Sequence, residues 1–260
     1  MASADNISLV PETIFHIGNI GLNSAVLTSI LIAVFIIWLS LYVSKKISMV
    51  PGKLQVAMEL GIAMFYDKLV DAYHGNKKLA KKHTALIFTL FIFIFIANQF
   101  SVIPLFQNIM VNGKEAFKTP TAHLSETIAL ALVAVIASHA IAFSMSPLKH
   151  IDNYLKISAI LKVRSVKDLG NVFLELFLGL LDIIGELSKI MSLSGRLFGN
   201  IFAGEVMAII IAGLSVYTGY LLPIPFYILG IFSGVIQALV FALLSLSFIT
   251  GTVQNVSDEV

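Results

Sequence analysis

Charge and cysteine are what this sequence has least of. Only 12% of its 260 residues are charged, about half the share of a soluble domain, while 58% are hydrophobic. It contains no cysteine, which excludes disulfides and thiolate chemistry. It also lacks GxxxxGK followed by Ser or Thr, so it has no phosphate-binding loop of that kind. These shortages exclude an ordinary soluble domain and speak against nucleotide chemistry in this chain.

Long apolar runs make up most of what is there. Each run is continuous, whereas the strands of a membrane barrel would alternate, so the sequence predicts an all-α integral membrane protein. We expect a single membrane domain with about five crossings. Its parts are an outer N-terminal segment (1–23), spans at 24–44, 84–103 and 121–146, an interfacial or cytoplasmic helical segment (50–82), a basic loop (147–170), a long tilted helix (171–222), a turn (223–225) and a final helix (226–250).

The basic residues predict the orientation in the membrane. Lysines and arginines cluster after the first and third spans, and such clusters mark the cytoplasmic side. The N-terminus then lies outside, and five crossings place the C-terminus in the cytoplasm.

The run 171–222 is too long for one ordinary span. As a straight helix it would extend roughly 75 Å, against a bilayer core of about 30 Å. No proline interrupts it, so we expect one strongly tilted or bent helix that packs back on the final helix. Division into two spans is the alternative, and it would move the C-terminus outside.

Polar residues form a stripe along this run. Four of them recur every seven residues and drift by only about 20° per step on a helix. The first members of the stripe are explained by side chains that reach the membrane surface or by ion pairs along the helix. An arginine at the centre of a membrane helix, by contrast, costs about 2.5–3.5 kcal/mol on insertion scales. Arg196 is therefore expected to face water or a partner charge, and Glu205 to face another way. The stripe comprises Glu175, Asp182, Glu186, Lys189, Arg196 and Asn200.

Two glycines flank the arginine in a small-xxx-small pattern, Gly195 to Gly199. This pattern is typical of close helix packing. Packing and function are compatible here, since glycines would let a partner helix approach while the guanidinium of Arg196 meets its charge.

Four segments together resemble subunit a of the rotary F-type ATP synthase, in its bacterial form. They are SLSGRLFGNIFAGE, MVPGKLQVAMELGIAMFYDKLVDAYHG, PTAHLSETIALAL and IQALVFALLSLSFI. The resemblance implies a stator subunit that forms two offset proton half-channels against a rotating c ring and couples proton flow to ATP synthesis or hydrolysis. It implies the c ring, the peripheral-stalk b subunit, the rest of the complex and membrane lipid as partners, with no nucleic acid, cofactor or metal. A bacterial inner membrane is expected, with an organelle inner membrane as the alternative.

The resemblance also assigns roles to residues, none of them catalytic in the sense of ATP chemistry. Arg196 matches the arginine between the two half-channels, and Asn200, Glu205 and Gln237 match polar residues around them. Asp182 matches an acidic position on the cytoplasmic path, and Glu186 shares its stripe. At 1.5 Å per residue, Asp182 lies about 21 Å from Arg196 along the helix and Glu205 about 13 Å away on the other side.

One position departs from the family pattern. Many members carry a histidine or an acid seven residues before Gln237, where this chain has Gly230. His123 or Glu126 could supply the missing group at the outer surface, although TAHLSE is also a plausible helix start. His139, deeper in the same span, is interpreted as a packed polar residue.

Other function classes are weaker. A self-contained secondary ion transporter or channel is the main alternative, but such proteins usually show internal repeats, and we find none. A structural scaffold would not explain the buried charges. Whether the chain counts as part of an enzyme depends on its complex, and the choice between protons and sodium ions depends on the ring.

Overall fold

The computed structural model describes residues 13–17, 20–100, 110–111, 114–115, 117–156, 168–213 and 223–256. These contain seven α-helices: α1 (Ser24–Lys45), α2 (Lys53–Ala72), α3 (Lys77–Phe100), α4 (Leu124–Met145), α5 (Pro147–Leu155), α6 (Asp168–Gly213) and α7 (Pro223–Gln254). Four of them, α1, α3, α4 and α7, are long and apolar enough to cross a membrane. The expected all-α membrane architecture is confirmed.

Two short antiparallel strand pairs lie between the helices, and the sequence did not predict them. β1 (Thr13–Ile17) pairs with β2 (Ile20–Asn23), and β3 (Met110–Val111) pairs with β4 (Lys114–Glu115). The first pair leads directly into α1, where the side chain of Asn23 accepts a 2.7 Å hydrogen bond from the backbone of Val26 and caps the helix.

Several helix boundaries differ from the predicted ones. The segment predicted over 50–82 divides into α2 and the first turns of α3 at a turn in which His74 and Gly75 have positive φ. The first part of the predicted loop 147–170 is the helix α5, which begins at Pro147 because proline suits the first helical turn. The predicted turn 223–225 is instead the first turn of α7, for the same reason.

Parts of four predicted segments fall outside the described residues. They are most of the N-terminal segment (1–12 and 18–19), the end of the second span (101–103), the second half of the basic loop (157–167) and the end of the long helix (214–222). Within the described part, α6 is a single helix of 46 residues. It is about 69 Å long, more than twice the thickness of a bilayer core.

The helices form one bundle around α3, α4 and α7. α3 packs on α2 and α7, α4 packs on α6 and α7, and α1 packs mainly on α3. One apolar cluster joins α2, α3 and α7 through residues such as Phe65, Ile87 and Ile249, and a second joins α3, α4, α6 and α7 through Leu197 and Phe241. α6 therefore rests on the bundle by one side and leaves its other side exposed.

Candidate functional site

Arg196 lies on the exposed side of α6. Its neighbours Leu193 and Leu197 are buried in the bundle, so the helix is anchored beside the arginine while the guanidinium points away. Within the described parts of the chain, no carboxylate lies within ion-pair distance of Arg196. A charge this deep in an apolar stretch is costly unless it meets water or a partner charge. The arrangement therefore directs Arg196 away from the described part of the bundle.

The surface around Arg196 is made of small side chains. We call it the small-residue face; all its members are exposed, and they are Gly185, Ser188, Ser192, Gly195, Gly199 and Ala203. A Cβ atom built on Gly185, Gly195 or Gly199 would meet nothing within 4 Å. No described helix of this chain thus packs on the Gly195–Gly199 pair, so the described part of the chain leaves this surface open to a neighbouring helix.

Asn200 joins α6 to α7 one turn beyond the arginine. Its Oδ1 accepts a 2.6 Å hydrogen bond from the hydroxyl of Ser233, and its Nδ2 donates a longer one, 3.4 Å, to the backbone carbonyl of Ser233. Gln237 follows one turn later on α7 and is buried. The structure thus brings Asn200 and the Ser233–Gln237 side of α7 together, as facing α6 and α7 require.

Glu205 and the start of α4 lie towards the other end of α6. Glu205 is half-buried, and nine residues of helix place it on the side opposite Arg196. A 3₁₀ turn, Pro120–Ala122, packs against α6 and leads through His123 into α4. His123 is only 5% exposed, and its Nε2 has no hydrogen-bond partner among the described residues. Glu126, half-buried, faces Ser29 of α1.

A polar cleft opens at the opposite end of the bundle, where α5 and the end of α7 flank α6. Its volume is about 430 Å³. Both acidic residues that the sequence singled out on this side line it, Asp182 exposed and Glu186 largely buried. The cleft is lined by His150, Asn153, Tyr154, Lys156, Leu181, Asp182, Gly185, Glu186, Lys189, Thr252 and Asn255.

Glu186 is the most heavily contacted acid of the site. Its Oε1 accepts hydrogen bonds from Lys189 at 2.6 Å and from the hydroxyl of Tyr154 at 3.0 Å. His139 of α4 lies 3.4 Å from its other oxygen. Burial, reinforced by the charge of Glu186, raises the pKa of the Tyr154 hydroxyl well above its usual range, so Tyr154 remains a donor. The pairing along the helix that the sequence suggested is present between Glu186 and Lys189, but it is part of a larger cluster.

Four participants escaped the sequence analysis. Ser233 gave no signal, because a lone serine in an apolar helix is common. His139 was interpreted as a packed residue, and His150 and Tyr154 fell in a predicted loop. The amphipathic pattern of α5 after Pro147 could have revealed a helix there. Among the described residues, no group of three or more His, Asp or Glu side chains is arranged to hold a metal ion.

Comparison with known proteins shows the family of this chain. The family model described as ATP synthase A chain matches residues 26–250. "ATP synthase subunit a" of Moorella thermoacetica is 32% identical over 246 residues, which cover 94% of this chain and 97% of that protein. "ATP synthase subunit a 1" of Hahella chejuensis is 30% identical over 244 residues, covering 94% and 90%. The chain, a multi-pass membrane protein, belongs to the ATP synthase A chain family.

Proposed function

We propose that this chain is the stator of the membrane sector of an F-type ATP synthase and forms two offset proton half-channels against a ring of c subunits. The observation that carries the proposal is Arg196, exposed on the small-residue face without an ion-pair partner among the described residues, in a chain of the ATP synthase A chain family. The missing partner is then a carboxylate of the ring.

The chemistry of arginine suits this position. A fixed cation opposite a ring carboxylate favours its ionised form, so an arriving carboxylate releases its proton beside Arg196. Arginine remains charged at all relevant pH values, whereas a lysine in an apolar setting could lose its proton. Arg196 therefore also blocks protons from passing directly between the half-channels, and protons cross only by riding on the ring.

The two ends of α6 supply the half-channels in this proposal. Asp182 and Glu186, in the polar cleft, serve the cytoplasmic half-channel. Glu205, at the other end of α6, serves the outer one, together with Asn200, Gln237, His123 and Glu126. His123 fits the role of the group that Gly230 lacks, because its buried Nε2 has no partner within the described chain. A buried polar atom without a protein partner is a natural contact for a channel water.

The ring needs a surface on which helices can slide. The small-residue face offers one, because its glycines let a neighbouring helix come close to Arg196. α1 packs mainly on α3 and exposes large side chains such as Trp38 and Leu41, so we assign the peripheral-stalk b subunit to that second surface. The N-terminus lies outside and the C-terminus in the cytoplasm of a bacterial cell, following the positive residues around the cleft.

Cross-linking tests the ring surface directly, and the chain is suited to it because it contains no cysteine. Gly199→Cys on the small-residue face should form a disulfide with a cysteine placed beside the ring carboxylate, in membranes that contain the whole complex. Ile136→Cys on the exposed side of α4 is the matched control and should not cross-link. Cross-linking of the control alone, or of neither variant, would contradict the proposed ring surface.

A further inference from the structure

Four side chains from three helices meet at the inner end of the bundle, and we call them the Glu186 cluster: His139, His150, Tyr154 and Glu186. His139 comes from α4, His150 and Tyr154 come from α5, and Glu186 comes from α6. The aromatic rings of His139, His150 and Tyr154 lie with centroids 5.3–5.6 Å apart; the two imidazoles are tilted to each other, and each packs edge to face with Tyr154. The stator function explains an acid here, but it does not explain two histidines.

The two carboxylate oxygens of Glu186 differ sharply in their surroundings. Oε1 accepts both strong hydrogen bonds, from Lys189 and Tyr154. Oε2 is buried and has no hydrogen bond of good geometry within the described chain, although Nε2 of His139 lies 3.4 Å away. An unsatisfied buried carboxylate oxygen is costly. Oε2 is therefore the atom on which a proton would settle, and His139 is the group next to it.

The second ring nitrogen of His139 continues the chain of contacts towards the cleft. Its Nδ1 lies 3.3 Å from Nε2 of His150, and His150 lines the polar cleft. Ring nitrogens thus lead in steps of 3.4 Å and 3.3 Å from the buried Oε2 of Glu186 to His150, a residue that lines the cleft. Imidazole can accept a proton on one nitrogen while it releases one from the other, which neither a carboxylate nor a hydroxyl of this cluster can do across the same gap.

We propose that His139 and His150 relay protons between Glu186 and the cleft, an inference that rests on the proposed stator function. In the step towards the cleft, protonated Glu186 gives its proton from Oε2 to Nε2 of His139. Nδ1 of His139 passes a proton to Nε2 of His150, and Nδ1 of His150 gives one to water. One proton leaves Glu186 and one reaches the cleft, and tautomer exchange at both rings restores the starting state.

The groups that face the relay favour proton transfer from Glu186 to the cleft. From α6, Lys189 stabilises the ionised Glu186, and Asp182 lies in the same cleft. From α5, Lys156 lines the cleft, and the Tyr154 hydroxyl remains protonated because burial raises its pKa. Among the described residues, α7 contributes the uncharged Thr252 to the cleft, and Asn255 follows directly after the helix. Burial and then His139 lower the pKa of His150, opposed by Glu186, so His150 releases its proton readily to water.

The test uses the whole ATP synthase in inverted membrane vesicles, whose outer bath faces the cleft. Proton conduction through the membrane sector is measured while the bath is varied from pH 5 to pH 9. We expect His139→Gln to lower conduction about tenfold and to flatten its pH profile. The loss is smaller than the roughly 100-fold or more that is typical of a proton-transfer group, because water replaces the imidazole in part. His74→Asn is the control, since His74 is exposed in a left-handed turn and is not among the residues that line the cleft.

A purely structural cluster predicts a different result. It would lower the amount of assembled complex and leave the pH profile per complex unchanged, and that outcome would overturn the relay. If His139→Gln does not assemble, His150→Gln replaces it, with the same flattened profile expected. Failure of both variants to assemble would also count against the relay. Arg196→Ala is run in parallel: if it keeps coupled conduction, the stator proposal itself fails, whatever the histidine variants show.

Discussion

The hydroxyl of Ser233 donates a 2.6 Å hydrogen bond to Oδ1 of Asn200, and this contact fixes α6 against α7 one turn from Arg196. The same Asn200 donates to the backbone carbonyl of Ser233. The two helices also meet through apolar contacts and through Lys189, which lies over the ring of Phe248. The hydrogen bond gives them one defined register at the level of Asn200. The position of the guanidinium along α6 relative to α7 depends on it.

Removing the hydroxyl should loosen this register. Ser233→Ala is expected to lower the free energy of unfolding by about 1 kcal/mol, the usual net contribution of a hydrogen bond, and to reduce coupled proton conduction. Thermal unfolding of the purified complex and conduction in vesicles are the measurements. Ser233→Thr keeps the hydroxyl and should behave like the wild type; an equal loss in both variants would show that shape matters and the bond does not.

His123 is expected to serve the outer half-channel. His123→Ala should lower proton conduction at least about tenfold, because we propose that its buried imidazole replaces the histidine or acid that this chain lacks at Gly230. Conduction driven by a potassium diffusion potential is the measurement, and the exposed neighbour Ser125→Ala is the control. Unchanged conduction in His123→Ala would remove His123 from the path and leave Glu126 as the candidate.

Two glycines of α6 should respond in opposite ways to a methyl group. A Cβ on Gly179 would collide with the backbone carbonyl of Tyr154, whereas one on Gly195 would meet open space. Gly179→Ala should therefore displace α5, lower the stability of the isolated chain and open the polar cleft. Gly195→Ala should leave the isolated chain unchanged or slightly more stable, because alanine favours helix.

Assembly with the ring provides a second test of the small-residue face. Gly195→Ala is expected to weaken coupled ATP-driven proton pumping, since the added methyl group occupies the surface assigned to the ring. Thermal unfolding of the isolated chain and pumping in reconstituted vesicles are compared side by side. A Gly195→Ala variant that destabilised the isolated chain would mean that another part of this chain covers the small-residue face.

Tyr73 and His83 form a buried pair that makes stability depend on pH. The Tyr73 hydroxyl lies 2.7 Å from Nδ1 of His83, and burial raises the pKa of Tyr73. Tyr73→Phe should cost about 1–3 kcal/mol at neutral pH, because it leaves a buried ring nitrogen without its partner. In the wild type, folded Tyr73 keeps its proton at pH values where the unfolded chain ionises.

The sign of the pH effect follows from this shift. Stability from the protonated Tyr73 is fully present below about pH 10 and is lost as the pH rises further. The difference in unfolding free energy between wild type and Tyr73→Phe should therefore shrink above pH 10. Denaturation of both proteins from pH 7 to pH 11 measures it, and a constant difference would mean that Tyr73 ionises equally in both states.

The sequence predicted the features that depend on neighbours along the chain. Apolar runs predicted the spans, and the charge of Arg196 between two apolar stretches predicted that it faces water or a partner charge. The structure places Arg196 on the exposed side of α6, and its partner stays a prediction. The Glu186 cluster could not be predicted in this way. Its members lie 4 to 47 positions apart in the sequence, and only the packing of α4, α5 and α6 against one another brings His139, His150 and Glu186 together.

The most direct test of the stator function is proton uptake by liposomes that contain this chain and its c ring, driven by a potassium diffusion potential. The wild type should conduct only when the ring is present, and Arg196→Ala should lose coupled conduction, because nothing then holds the passing ring carboxylate ionised. Conduction by this chain alone, or unchanged coupled conduction in Arg196→Ala, would contradict the account and favour a self-contained transporter.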